Sequence, residues 1–529
     1  MYKRLLFLIL LTFILKELIW ASLVPLWHFP DEQSHFGQIA YITEMGKTPS
    51  SRNNDLTLEI LLSERLLDTE RNEFGVNKFT YHPEYKITFT NTYTGPFEKE
   101  IQSFRKNLAY RRMVKQESTR YPSLYYFILS IIYRFFYFND LFIRVFIIRI
   151  VQIIFSTLTI YIGYLIGKEI FQKEEVLAIS VPALVSFQPM FSFVSAGINS
   201  DNIANLFFSL YILITLKILS KQTIDLKGAV IFIVITILCL YIKYQFLIIV
   251  PISIFVFVGK IIKHNFSLKD KLEKVLLFLL ISFIGYELLY LYRWGPITVF
   301  MRALTKFNST SFLAYLKNYS FLQAYHEVLP WYWGIFDWLG VTYPRVIHRV
   351  INWLLLLSMI GLIISFIKSF YLYIRRKQKL AWPIFSCVYF IFLNLFFFLG
   401  IYYYDWLEWS QRGIHLGVQG RYFFPLINTH IVLILFGIIN LIPQKYINMR
   451  INTAKIVVVG MVGFNFYALF ILSKTYYDIN SLSNFIFQMS QYKPWFFKGL
   501  FEIGLMVTYL LSLFMFLIKY IRYPHERKA

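Results

Sequence analysis

Apolar stretches long enough to cross a bilayer recur from end to end of this 529-residue chain. A bilayer core needs about 20 mostly apolar residues per crossing helix. Inside lipid, every backbone N–H and C=O must be paired within the structure, so only helices and closed barrels can span. These runs are far too long for barrel strands. The chain therefore reads as an all-α, polytopic membrane protein forming one membrane domain over 1–529, and 57% hydrophobic residues agree with that.

The formal net charge of +23 would suggest nucleic acid in a soluble protein. Here the basic residues gather in short loops between apolar runs, the pattern of cytoplasmic loops. No basic, aromatic module stands outside the membrane segments, so nucleic-acid binding is not expected. The two cysteines, Cys239 and Cys387, both lie in apolar runs and support neither a disulfide framework nor a cysteine metal site.

The first run, about 5–27, starts basic and lacks a clean small-x-small cleavage site, so it reads as an uncleaved helix with its N-terminus inside. A polar stretch follows to about 120. Residues 121–138 are apolar enough to cross, but a crossing there would put the basic loops on alternating sides. If 121–138 lies at the interface instead, "SKQTIDLK", "RRKQK", "PQKYINMR" and the tail "RYPHERKA" all fall inside together. The remaining spans are then 142–167, 176–197, 202–219, 228–243, 246–262, 274–292, 346–370, 381–403, 421–442, 455–473 and 496–520. That makes about twelve crossings, with both termini cytoplasmic. A first extracytoplasmic loop with interfacial helices covers 28–141, and a second large one covers 293–345.

With that topology the unusual polar residues fall on one face. Asp31, Glu32 and His35 open the first outer loop in "HFPDEQSHFG". Asp201 sits in the short outer turn of "SAGINSDNIAN". Arg144 and Arg149 lie near the mouth of their helix, Lys243 in the turn "IKYQ", and Arg421 starts a helix in "GVQGRYFFP". Ionisable groups at membrane depth are costly and point to a site. A carboxylate can serve as general base on an acceptor hydroxyl. Arginine can hold a departing phosphate through its planar fork. No G-x-G-x-x-G or G-x-x-x-x-G-K-[ST] loop offers a nucleotide site, whereas a sugar on an isoprenoid phosphate reaches that outer surface.

Several segments carry a resemblance. "PDEQSHFGQIAYI" resembles the Asp-Glu motif that opens the first outer loop of GT-C glycosyltransferases, a group with protein O-mannosyltransferases and aminoarabinose transferases. "RYPSLYYF", which holds Tyr125, resembles their His-Pro-Pro-Leu-Tyr-Tyr segment, with Tyr121 and Ser123 in place of the His and second Pro. "DLFIRVFIIRIVQ" resembles their arginine-bearing helix mouth, and "FVSAGINSDNIANLFFSLY" their second acidic turn. "LPWYWGIFDWLGVTYP" and "QGRYFFPLI" look closest to a bacterial GT-C-related multi-pass family. The resemblance covers residues 1–220 and these two islands.

It implies a membrane glycosyltransferase that moves a sugar from a polyprenyl-phosphate donor to an acceptor hydroxyl on a glycan, lipid or protein, at the outer face of the cytoplasmic membrane. Transfer would be inverting, with Asp31 as base, Glu32 as its acidic neighbour and Asp201 as the second acid. Arg144, nearer the aqueous mouth, or else Arg149 would meet the donor phosphate, as would Arg421; Lys243, by its place in the outer turn, can meet it too. His35, Tyr125, Trp333, Asp337 and Gln419 would contact substrate. A divalent cation is implied in some relatives, and Asp31 and Asp201 would be its ligands here.

The residues themselves leave other readings open. Asp31, Glu32 and Asp201 suit helix N-termini as caps. His35 can simply pair with Asp31, four residues away. The arginines and Lys243 can be snorkelling anchors, and "WYWGIFDW" an aromatic belt instead of a sugar platform. Two other function classes compete: a transporter or flippase of a lipid-linked or anionic substrate, and an inactive GT-C-like scaffold. A transporter is expected to show paired repeats or broken helices in matching halves. A scaffold would leave Asp31 and Asp201 in separate surroundings.

Overall fold

A computed structural model of the chain describes residues 2–48, 53–72, 75–89, 96–104, 111–115, 124–172, 174–221, 226–263, 308–413, 415 and 417–523. Among these, helix dominates, as the apolar runs require. Eight helices are long and apolar enough to span: Lys3–Leu23, Leu141–Phe171, Asp201–Ser220, Arg345–Arg376, Trp382–Arg412, Gly420–Asn440, Ile447–Tyr476 and Leu500–Ile521.

The expected count of about twelve spans is not reached among the described residues, and the departures have local causes. The run 176–197 is two helices, Glu175–Phe187 and Pro189–Ala196, bent by 62°. Pro189 cannot donate its backbone nitrogen, so the helix restarts there with proline in its first turn. Gln188 seals the break: its Oε1 accepts from Phe191 N, and its Nε2 donates to Tyr332 O at 2.6 Å. The runs 228–243 and 246–262 become Leu226–Ile242 and Ile249–Lys263, of 17 and 15 residues. The expected span 274–292 lies outside the described residues. The segment expected at the interface is helix Leu124–Phe135, whose 12 residues reach about 18 Å, short of a bilayer core.

Leu141–Phe171 is the hub. It packs on Lys3–Leu23, Glu175–Phe187 and Asp201–Ser220. The helix Arg345–Arg376 crosses Ile427–Asn440 through glycine on both sides. A Cβ on Gly361 would stand 1.9 Å from Gly437 O, and one on Gly437 2.2 Å from Ser358 O. Such crossings let backbones approach where lipid offers no hydrophobic drive to helix association.

Outside the long helices, the first polar segment folds back on the bundle. Helix Glu32–Met45 lies against Leu124–Phe135. Strands Asn53–Thr57 and Arg111–Lys115 pair antiparallel. A second small pair sets Ile335 opposite Thr342. Its turn carries three successive residues at positive φ, Asp337, Trp338 and Leu339 at 46°, 48° and 67°.

Candidate active site

Four helix ends meet at one end of the bundle. Asp31 immediately precedes helix Glu32–Met45, Asp201 begins Asp201–Ser220, Lys243 follows Leu226–Ile242, and Arg421 opens the turn that leads into Ile427–Asn440. Charged groups collect there because the ends leave the apolar run, and unpaired charge inside lipid is expensive.

Asp31 occupies the N-cap position with φ of 57°, but its side chain makes no capping bond. The carboxylate turns to cations instead. Arg421 Nη2 donates to its Oδ2 at 3.1 Å, and Arg71 Nη1 lies 3.8 Å from its Oδ1. A non-glycine residue in the left-handed region is sparsely populated, though Asp tolerates it better than most. The side chain keeps 29% of its surface exposed, against 8% for Asp201. Burial draws the Asp31 carboxyl upward, but Arg421, Arg71 and His35 outweigh it and hold it below the ordinary carboxylate range.

Asp201 belongs to the same cluster. Lys243 Nζ donates to its Oδ1, and Arg421 Nη1 lies 3.9 Å from its Oδ2. The turn before it is wired by two asparagines. Asn199 Nδ2 donates to Val194 O at 2.8 Å, Asn202 Nδ2 donates to Val194 O at 3.1 Å, and Asn199 Oδ1 accepts from Asp201 N at 2.9 Å. Arg421 is therefore shared between the two acids, which lie 170 residues apart in sequence (201 − 31). Gln419 Oε1 accepts from Arg421 Nε at 2.8 Å and aims the fork. Gly420 lets the segment press on the backbone of 331–332, where a Cβ would stand 2.2 Å from Tyr332 N.

His35 lies one turn beyond Asp31. Its Nδ1 is 2.8 Å from Tyr126 Oη, its ring stacks on Tyr126, and Tyr125 meets it edge-on. It interacts electrostatically with Asp31, Asp201, Arg421 and Lys243, so it borders the whole cluster. Burial lowers its pKa to about 4, an effect opposed by the two aspartates and reinforced by Arg421 and Lys243. It is neutral near neutral pH.

The structure thus brings together Asp31, Asp201, Arg421, Lys243, Gln419, His35 and Tyr125. It places the other expected residues elsewhere. Glu32 and Arg149 are fully buried and locked to each other at 2.8 and 2.6 Å. Arg149 also donates to the carbonyls of Ala21, Val24 and Pro25, and Glu32 accepts from Trp27 N. This pair ties the end of the first helix to the hub helix. Arg144 is held by Glu59 at 2.8 and 2.5 Å and by Tyr133. Arg144 and Arg149, expected at the donor phosphate, and Glu32, expected in catalysis, are each engaged by a buried partner of opposite charge. Asp337 faces His28 Nδ1 at 3.3 Å. Trp333 is buried against Tyr332 and Phe464. The helix ending at Trp333 nevertheless packs on the turn that carries Arg421.

Arg71 and Tyr126 were missed by the sequence reading. Tyr126 is adjacent to Tyr125 in "SLYYF", but Arg71 lies in a charged stretch where nothing marks it out. Among the described residues, no group of three or more His, Cys, Asp and Glu side chains could hold a metal ion. Asp31 and Asp201 face Arg421, Arg71 and Lys243 instead.

No family model and no curated protein matches the chain. Solved structures similar to it include the Archaeoglobus fulgidus oligosaccharyltransferase in complex with zinc and sulfate, at TM-score 0.40 and 13% identity, over 88% of this chain. The chain spans about half of that protein, 53% of its length. The same enzyme tethered to an acceptor peptide gives TM-score 0.40 and 13% identity, over 88% of this chain and 55% of that one. ArnT from Cupriavidus metallidurans bound to undecaprenyl phosphate gives TM-score 0.38 and 10% identity, over 97% of this chain and 74% of that one. At such scores and identities, what this chain does has to be read from its own residues.

Proposed function

We propose that this chain is an integral-membrane glycosyltransferase that moves a sugar from a polyprenyl-phosphate donor to an acceptor hydroxyl, with inversion at the anomeric carbon. The single observation that carries this reading is the Arg421 guanidinium shared by Asp31 and Asp201 at one end of a membrane bundle. A lipid phosphate and a hydroxyl-bearing acceptor can both reach such a place.

In this reading Asp31 is the general base. Its partial exposure admits an acceptor, and its lowered pKa keeps it ionised. A carboxylate that ionises so readily is a weak base, so proton removal accompanies bond formation at the anomeric carbon. The acceptor oxygen bonds to that carbon as the carbon–oxygen bond to phosphate breaks. The acceptor proton passes to Asp31, and the lipid phosphate leaves with the electron pair. Arg421 and Lys243 stabilise that growing charge, replacing Arg144 and Arg149 in the role. Asp201 holds the two cations in place and lends negative potential to an oxocarbenium-like centre.

The transporter reading draws on the bent pair at Gln188, since broken helices line transport sites. Here both halves of the break are buried, and the amide of Gln188 is used on Phe191 and Tyr332. The break is filled by protein, which favours the transferase.

Purified protein in nanodiscs, supplied with a panel of synthetic prenyl-phosphate sugars, tests the proposal. Lipid-phosphate release coupled to sugar transfer is expected. Movement of the intact donor across the bilayer without bond cleavage would support the transporter.

A further inference from the structure

Beside the charged cluster lies a set of uncharged polar groups that takes no part in the transfer step. Asn205 is one turn beyond Asp201 on the same helix, about 6 Å further along its axis, and on the same face. It is 1% exposed, and neither its Oδ1 nor its Nδ2 has a hydrogen-bond partner among the described residues. Gln152, on the hub helix that packs against this one, is fully buried, and its Nε2 is likewise unpartnered. Its Oε1 accepts from Asn202 Nδ2 at 3.4 Å, so it stands against the first turn of the Asp201 helix. Tyr125 is fully buried and interacts with Gln152 and Asp201, though its hydroxyl forms no well-made hydrogen bond.

A buried amide without a partner costs roughly 1–3 kcal/mol, and native proteins leave few of them. Two amides and a phenol with unpartnered atoms, from three helices beside the acids, are costly unless something with hydroxyls joins them. Their chemistry is informative. Amide and phenol groups donate and accept without charge, so they suit neutral hydroxyls better than a carboxylate or an ammonium.

Building on the glycosyl-transfer reading, we infer that Tyr125, Gln152 and Asn205 form the subsite for the sugar ring of the donor, and that it selects an uncharged, hydroxyl-bearing ring. The donor phosphate then sits at Arg421 and Lys243, with the ring turned toward the interface between the Asp201 helix and the hub helix. A site built to bond hydroxyls discriminates strongly against a ring lacking them, because its own buried groups are then left unpaired.

The test measures binding of two synthetic lipids to purified wild-type protein, Asn205→Leu and Gln152→Leu: farnesyl phosphate, and farnesyl-phosphoryl hexose with an unmodified ring. In the wild type the sugar should add at least tenfold to the affinity of the bare lipid phosphate. Each leucine variant should bind farnesyl phosphate as the wild type does, melt at the same or a higher temperature, and lose the tenfold increment. An amino-sugar version of the lipid should gain no such increment in the wild type. Retention of the full hexose increment in both variants would overturn the subsite and leave the transferase reading standing, with the polar groups served by water. An equal or larger increment for the amino sugar would overturn the neutral-ring selection. Failure of the wild type to bind either lipid would overturn the transferase reading, and this subsite with it.

Discussion

Replacing Glu32 is the sharpest way to separate structural charge from catalytic charge. In the folded chain its carboxylate takes two bonds from Arg149, at 2.8 and 2.6 Å, and one from Trp27 N at 3.2 Å. Removing one partner of a buried ion pair costs about 3–5 kcal/mol, because the other charge stays buried. Here that charge is partly cushioned. Arg149 keeps the carbonyls of Ala21, Val24 and Pro25, and its guanidinium lies 4.7 Å from the rings of both Phe29 and Phe146. Those contacts persist in the variant and leave the guanidinium hydrogen-bonded, so the cost of Glu32→Ala falls near the lower end, about 3 kcal/mol. Glu32→Gln, which keeps one acceptor oxygen, should cost less. The double variant Glu32→Leu/Arg149→Leu should recover much of the loss, since no buried charge remains. Thermal unfolding of the purified protein in one detergent reads all of this. Turnover of folded Glu32→Gln, measured below its melting temperature, should stay within about tenfold of wild type, a loss of at most 1.4 kcal/mol in barrier terms. A Glu32→Gln protein that melts like wild type but has lost transfer would refute the structural assignment and return Glu32 to the chemistry.

Other consequences follow from the same geometry. Arg144→Ala should lower the melting temperature, by breaking the Glu59 pair, and leave donor affinity within a few-fold of wild type, whereas Arg421→Gln should weaken donor binding more than tenfold; equal donor affinity in wild type and Arg421→Gln would contradict the phosphate assignment. Gly437→Leu should destabilise the protein by at least about 1–3 kcal/mol through overpacking, since the Cβ alone would meet Ser358 O at 2.2 Å; an unchanged melting temperature would show that the two helices do not cross there. The pH dependence has a defined sign. His35, lowered to about 4, is unprotonated in the fold while the unfolded chain takes up a proton below about 6.5, so its contribution to stability is lost as pH falls from about 6.5 to about 4. Asp31, also lowered, contributes stability above the ordinary carboxylate pKa and loses it as pH falls through its depressed value. Turnover should therefore show no acid limb near pH 6.5; a limb there that disappears in His35→Gln would contradict the neutral histidine.

Much of this was legible in the sequence for a physical reason. Charges at the ends of apolar runs are conspicuous, so Asp31, Asp201, Lys243 and Arg421 stood out before any coordinates did. Their partners did not. Arg149 finds Glu32 across 117 residues and Arg144 finds Glu59 across 85, and periodicity in one helix says nothing about which distant acid will neutralise it. The arginines at a helix mouth read as ligand-binding because an isolated charge in a membrane demands a purpose; in the fold each is paired with a buried acid from the first polar segment. The bend at Gln188 lies inside a run dominated by apolar letters, and the Gln-Pro step was its one signal. Gln152 and Asn205 carried a signal too, as amides inside apolar helices, but only the packing of their two helices shows that they stand beside Asp201.

The central claim is that the partly exposed carboxylate between Arg421 and Arg71 takes the acceptor's proton. Its most direct test is single-turnover sugar transfer by wild type and Asp31→Asn in matched nanodiscs at saturating prenyl-phosphate donor. The account predicts a normally folded variant that binds donor but transfers at least about 100-fold more slowly, the lower end of what a positioned base contributes. Transfer by Asp31→Asn within a few-fold of wild type would contradict it.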